Sequence, residues 1–333
     1  MKAYPIKFRP ILKEKIWGGE KLSKVLNKKT TSKTVGESWE ISGVEGNISV
    51  VSNGLYKGKS LNDLIRGFKG EFLGNKIIST FGESFPLLIK FLDAKTNLSV
   101  QVHPDDKMAK VQHNSFGKTE MWYIMDSEKD AEIVLGLKNT LTNTDVLKHI
   151  NATNVDNVFN KEKVEQGDSY FIPAGKIHAI GAGVLAAEIQ QTSDITYRVY
   201  DWDRVDDKGQ KRELHTDLAQ RATKAFKSNG KCQYNLKDNA TSNLVDCDFF
   251  TTNIFNVNGL NQRAYSAMDS FKIFMCVEGA ARVTIDDHSE FVAKGETILV
   301  PANCESVVFN SQGAKFLEVY IDSKNSKSRN IAS

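Results

Sequence analysis

Three short segments of this chain carry residue types that can hold a divalent cation. The first is Gln101-Val102-His103-Pro104-Asp105-Asp106. Residues i and i+2 of a β-strand project from the same face, so the amide of Gln101 and the imidazole of His103 can aim at one point. Pro104 biases His103 toward an extended backbone, as a strand end requires. The second segment, Lys118-Thr119-Glu120-Met121-Trp122-Tyr123, sets a carboxylate at the head of an apolar strand. The third, Gly167-x5-Pro173-x-Gly175-x2-His178, puts another imidazole just past a tight turn. Two imidazoles, a carboxylate and an amide oxygen form a mixed nitrogen and oxygen set, which suits a zinc ion that keeps one position open. His113, His149, His215 and His288 lie in no such pattern and read as ordinary surface or core residues.

The elements that must position these groups are mostly strands. Residues 36–51 hold β-formers broken by Gly43 and Gly46, and residues 86–103 begin as a continuous apolar run and then alternate, as a strand pair would. Residues 121–126, 131–137 and 169–175 predict further strands, and short strands at frequent turn signals predict a sandwich or barrel. Ser60, with Asp63 three residues on, predicts a capped helix through Leu64 and Ile65. Thr144 opens a second, and residues 212–226 predict a third with Leu214, Leu218, Ala222 and Phe226 on one face.

Residues 228–243, rich in Ser, Gly, Lys and Asn, read as a linker. Beyond it, residues 271–285, 291–303 and 314–322 read as a second, smaller β-unit. The stretch from Gly167 to Pro173-Ala174 is echoed by Gly295 to Pro301-Ala302, an internal repeat. In the second copy Asn303 and Ser306 take the places of Gly175 and His178, so this unit is expected to bind no metal. The expected division is a metal-binding unit over 1–236, a second unit over 237–322, and a frayed tail over 323–333.

Charge and composition exclude several function classes. The 44 basic and 41 acidic side chains are spread along the chain and give a formal charge of +3, with no basic stripe for nucleic acid and no membrane-binding face. With 40% hydrophobic and 26% charged residues, the chain is not of the disordered class. No apolar run approaches the roughly 20 residues that span a bilayer, and the N-terminal residues have no signal core. Cys232, Cys247, Cys276 and Cys304 form no C-x-x-C pair and are expected to be free thiols of a cytoplasmic protein.

Together the segments resemble a cupin, and more narrowly the short bacterial form of the class I mannose-6-phosphate isomerases. Gly167, Pro173 and His178 match the second cupin motif. The segment at 101–106, with Lys118-Thr119-Glu120, matches this family's variant of the first, Gln101 standing where a His is usual. Trp17-Gly18-Gly19, GESWE at 36–40, FPLLIKFLDA at 85–94 and AAEIQQTSDITYRVYDWDR at 186–204 extend the resemblance over most of residues 1–205. It implies a mainly β fold of two cupin-like, jelly-roll β-barrels with helical additions. It also implies interconversion of mannose 6-phosphate and fructose 6-phosphate. One zinc ion per chain would be held by His103, Glu120, His178 and Gln101. Arg198, Glu188 and Lys118 would be catalytic, and Lys90 and Arg198 would bind substrate. The expected partner is a small phosphorylated sugar, with no nucleic acid and no membrane.

Such an isomerisation moves a proton between carbons 1 and 2, so it needs a base near the carbon and positive charge near the oxygens. Glu188 is the expected base and Lys118 the expected donor. Arg198 and Lys90 each admit a second reading, as internal ion pairs, with Asp194, Asp201 or Asp203 as the partner of Arg198. Two other functions use the same pattern: an iron-dependent cupin dioxygenase, and a non-catalytic cupin that binds sugar phosphates.

Overall fold

Every residue of the strand Leu87–Ala94 is buried, including Lys90 and Asp93, which requires cover on both faces of its sheet. In the computed structural model, which describes residues 1–138, 144–206 and 208–322, this strand lies inside an antiparallel six-stranded sheet. The sheet's order is Ile11–Gly19, Val35–Ser42, Leu87–Ala94, Val184–Gln191, Glu120–Ser127 and Ser169–Ile172. A five-stranded sheet packs on one face, in the order Tyr197–Tyr200, Val100–Val102, His178–Ile180, Glu132–Leu137 and Phe159–Lys163. Trp122, Ile124, Leu92 and Ala186 from the first sheet meet Ile133, Leu135 and Ile180 from the second in a shared apolar core.

Two-residue alternation explains where chemistry enters this sandwich. Leu92 and Ala94 point into the shared core, so Lys90 points the same way but nearer the other end. Ala186 and Val184 likewise carry Glu188 with them, and Trp122 and Ile124 carry Glu120. In the facing sheet Val100, Val102, Tyr197 and Val199 belong to an outer cluster. Gln101 and Arg198 therefore face inward. The interior is thus apolar at one end and ionic at the other.

The outer face of the five-stranded sheet is covered by the helix Thr216–Ala222 and by Leu147 of the short helix Thr144–His149. The opposite face of the six-stranded sheet packs on the helices Leu61–Phe68, Gly70–Leu73 and Asn75–Phe81, and on a third sheet. Ser60 and Asp63 form the expected capping box of the first of these helices. The third sheet contains every strand from Thr241–Asp246 to Ser306–Tyr320 and has its own core around Phe255, Phe274, Phe309 and Phe316. The N-terminal strand Ile6–Lys7 joins it by pairing with Thr297–Val300. The fold is mainly β, as expected. Among the described residues, strand pairing follows open paths and closes no continuous barrel.

Several local expectations are corrected. Residues 86–103 form two strands that do not pair with each other but lie in opposite sheets. The helix expected over 212–226 is confined to Thr216–Ala222, leaving Leu214 and Phe226 exposed. Its flanks are held elsewhere: His215 N donates to Arg198 O at 2.8 Å, and Lys224 N to Gly175 O at 2.8 Å. The stretch read as a linker is attached too. Phe171 N donates to Gly230 O, Cys232 N to Ser169 O and Tyr234 Oη to Gly167 O, so it covers the edge of the Ser169–Ile172 strand. Its far end is the strand Thr241–Asp246. The four cysteines are free thiols. No helix among the described residues is long and apolar enough to cross a membrane. The tail expected to fray, from residue 323, lies outside the described residues.

Candidate metal centre

The strand Val100–Val102 is the axis of the site. Gln101 stands opposite His178 on one neighbouring strand and opposite Arg198 on the other. Residues opposite each other across antiparallel strands share a face, so His178, Gln101 and Arg198 form a row across the inner surface. His103 follows just after the strand. His178 enters through the turn at Gly175, whose φ of +91° and closeness to Ala222 O exclude a side chain. From the facing sheet Glu120 comes in opposite Gln190, and Glu188 lies between Lys90 and Trp122.

His103, Glu120 and His178 meet at the ionic end of the interior, each at most 1% exposed. The Nε2 atoms of the two imidazoles are 3.1 Å apart. Glu120 Oε2 is 3.5 Å from His103 Nε2, and its Oε1 is 3.3 Å from His178 Nε2. His103 Nδ1 lies 2.9 Å from Ile195 O and His178 Nδ1 2.8 Å from Lys176 O. A carbonyl only accepts, so both Nδ1 atoms carry hydrogen and both Nε2 atoms turn lone pairs toward each other. Both carboxylate oxygens of Glu120 are buried; Oε1 has no hydrogen-bond partner, and Oε2 has only the ammonium of Lys118, at 3.1 Å. Four electron-rich atoms facing one point repel unless positive charge stands near them. The ammonium of Lys118 meets two, His103 Nε2 and Glu120 Oε2, and the two imidazoles and the carboxylate together make a donor set that fits a metal ion. The amide of Gln101, whose Nε2 is 3.4 Å from His178 Nε2, reaches the same point.

Burial sets the protonation of these groups in the metal-free arrangement. It drives His103 well below the ordinary imidazole range and His178 down to about 3, so both are neutral. It pushes Glu120 up to about 7, against the opposing charge of Lys118. Lys118 Nζ lies 3.0 Å from His103 Nε2 and 3.1 Å from Glu120 Oε2. It precedes its strand rather than sharing a face with Glu120, yet it reaches the set.

Lys90 and Glu188 form a buried ion pair at 3.0 Å, and Glu188 Oε2 also accepts from Trp122 Nε1 at 3.0 Å. Burial alone would raise Glu188, but Lys90 and then Lys118 outweigh it and hold the carboxyl below its ordinary value. Arg198 does not take the ion-pair partners considered for it. Asp201 is bound by Arg204 and Arg212, and Asp203 by Lys211 and Tyr200 Oη. Among the described residues no carboxylate lies within ion-pair distance of Arg198. Its Nη1 donates to Glu213 O at 2.7 Å, and its Nε is buried without a partner.

Lys90, Gln101, Lys118, Glu188 and Arg198 line one cavity of about 210 Å³ beside the triad, between Trp17 and Trp39. Lys15, Glu37 and Arg212 are charged lining residues that were not read from the sequence as site residues or as their ion-pair partners. Glu37 had a signal, being in the GESWE segment with alternation toward the interior. Lys15 and Arg212 had none.

Residues 6–145 match the family described as phosphomannose isomerase type I, catalytic domain, and residues 240–320 match the mannose-6-phosphate isomerase cupin domain. The chain is 36% identical over 312 residues to mannose-6-phosphate isomerase ManA of Bacillus subtilis, covering 90% of this chain and 94% of that one. It is 35% identical over 317 residues to the mannose-6-phosphate isomerase of Streptococcus mutans, covering 92% and 96%. The crystal structure of the mannose 6-phosphate isomerase from Bacillus subtilis superimposes with a TM-score of 0.85 at 34% identity, over 95% of this chain and 99% of that one.

Proposed function

Because the chain belongs to the type I mannose-6-phosphate isomerase family and is an enzyme of that type, we propose that it interconverts mannose 6-phosphate and fructose 6-phosphate with one zinc ion. His103, Glu120, His178 and Gln101 would hold the ion. The observation that carries this reading is the buried triad of converging donor atoms, joined through Gln101 and Lys118 to a cavity that also presents an arginine with a partnerless Nε. When bound, zinc supplies Lewis acidity toward a sugar oxygen.

The protein's own groups divide the remaining work. Lys118, within 3.1 Å of the triad, is placed to donate a proton to an oxygen of the open-chain sugar. Glu188 is fixed on one side by Lys90 and on the other by Trp122, so its carboxylate is oriented to take the proton from carbon 1 or 2 and return it to the other. Lys90 keeps that base ionised. Arg198 offers its unused Nε to charge developing on the substrate, and Trp17 and Trp39 give the cavity an apolar part of its lining.

In this reading the chain divides near residue 236 into a metal-holding unit and a second, metal-free unit, with Ile6–Lys7 crossing to the latter. At the second unit's repeat, Asn303 donates to Met1 O and Ser306 begins a strand. The test is metal content before and after chelation, alongside a coupled assay with mannose 6-phosphate. Activity should disappear with the metal and return with zinc. Full turnover by protein stripped of metal would refute the proposal.

A further inference from the structure

Resting on the isomerase reading, we infer that Arg212, which lies beyond Arg198 from the triad, receives the substrate's phosphate. The row of His178, Gln101 and Arg198 crosses three neighbouring strands in register, each step about 4.8 Å. Tyr197–Tyr200 is the edge of that sheet, and the next stretch of backbone is pinned alongside it. Arg198 N donates to His215 Nδ1 at 3.1 Å and His215 N to Arg198 O at 2.8 Å. This clamp brings Arg212, three residues before His215, onto the cavity wall that Arg198 also lines. The row therefore runs from the metal-holding residues to a second guanidinium, as a six-carbon substrate requires when its reacting end and its phosphate are bound at once.

Arg212 is oriented but not used up. Its Nε and Nη2 grip both oxygens of Asp201 at 2.7 and 2.5 Å, which fixes the plane of the guanidinium. Its Nη1 has no acceptor among the described residues. Asp201 also binds Arg204, so two guanidiniums share one carboxylate and leave an excess of positive charge. Of the carboxylates lining the cavity, Glu37 is paired with Lys15 and Glu188 with Lys90, which leaves Asp194. Lys118 faces Glu120, Arg212 shares Asp201 with Arg204, and Arg198 has no carboxylate within ion-pair distance among the described residues. A phosphate dianion fits that surplus and the forked donors, and an uncharged sugar end does not.

The test uses metal-loaded enzyme with Arg212→Gln and Arg212→Lys. The readouts are KM and kcat for mannose 6-phosphate, inhibition by inorganic phosphate, and calorimetric binding of the unreactive mannitol 6-phosphate. Asp201 keeps Arg204 in both variants, so no buried carboxylate is stranded. In Arg212→Gln, KM, the phosphate inhibition constant and the mannitol 6-phosphate Kd should each rise about ten-fold or more, with a smaller change in kcat. Arg212→Lys should recover part of the loss. Unchanged KM and Kd in Arg212→Gln, or in Arg212→Lys should the first variant fail to fold, would overturn the inference. A parent enzyme that does not convert mannose 6-phosphate would instead remove the isomerase reading on which it rests.

Discussion

Replacing Lys90 with Met would leave the carboxylate of Glu188 buried without its ammonium partner. Both residues are only 4% exposed, so water cannot take the place of the lost charge. Breaking one side of such a pair costs about 3–5 kcal/mol, whereas neutralising both sides is often close to harmless. For a 333-residue chain with an unfolding entropy of about 2 cal/mol/K per residue, that loss lowers Tm by about 4–7 °C if unfolding is cooperative. The deficit should depend on pH. Without Lys90, burial lifts the folded-state pKa of Glu188 above its unfolded value. The stability tied to that proton is then fully present below the unfolded pKa and is lost as pH rises through the folded one. The variant should thus approach the parent near pH 4–5 and fall furthest behind at pH 8. Differential scanning calorimetry of chelated protein, where the pair and not a metal sets the local charge, is the assay. The double variant Lys90→Met with Glu188→Gln should regain most of the loss. A single variant melting within a degree of the parent, or a deficit equal at pH 5 and 8, would refute the argument.

Other outcomes follow from the same geometry. His103→Ala, Glu120→Ala and His178→Ala should each lose bound metal and activity together by mass spectrometry and coupled assay, and Gln101→Ala should lose less, because water can replace a neutral amide. Stoichiometric metal in any two of the first three, or two metal equivalents in the parent chain, would contradict the assignment. Arg198→Lys should lower turnover by orders of magnitude while Tm and metal content stay near the parent's, since Asp201 and Asp203 keep their own cations. A destabilised variant that turns over normally in its folded fraction would remove Arg198 from the mechanism.

The triad was legible because its residues carry local signals: a histidine two residues from Gln101 before a proline, a glutamate opening an apolar strand, and a histidine after a glycine turn. The pairing of Lys90 with Glu188 was not, because it depends on the register of two strands 98 residues apart in sequence. Arg212 was illegible for a similar reason: the sequence put it at the start of a helix, whereas hydrogen bonds between His215 and Arg198 and its own bonds to Asp201 set it on the cavity wall. The helix over 212–226 was read too long because apolar spacing at Leu214 and Phe226 obeyed the helical period. Tertiary hydrogen bonds at His215 and Lys224 won over that propensity. The polar stretch 228–243 looked like a linker by composition, yet its backbone groups satisfy the exposed edge of a strand. Composition reports how little a segment can bury, not whether it is hydrogen-bonded.

The central claim is that the metal-loaded protein moves a proton between the first two carbons of mannose 6-phosphate. It is tested most directly by carbon-13 NMR of mannose 6-phosphate labelled at carbon 1, followed with the parent protein holding one equivalent of zinc. The account predicts that the label appears at carbon 1 of fructose 6-phosphate until equilibrium is reached, and that chelation stops the conversion. An unchanged mannose 6-phosphate spectrum in the presence of folded, zinc-loaded protein would contradict it.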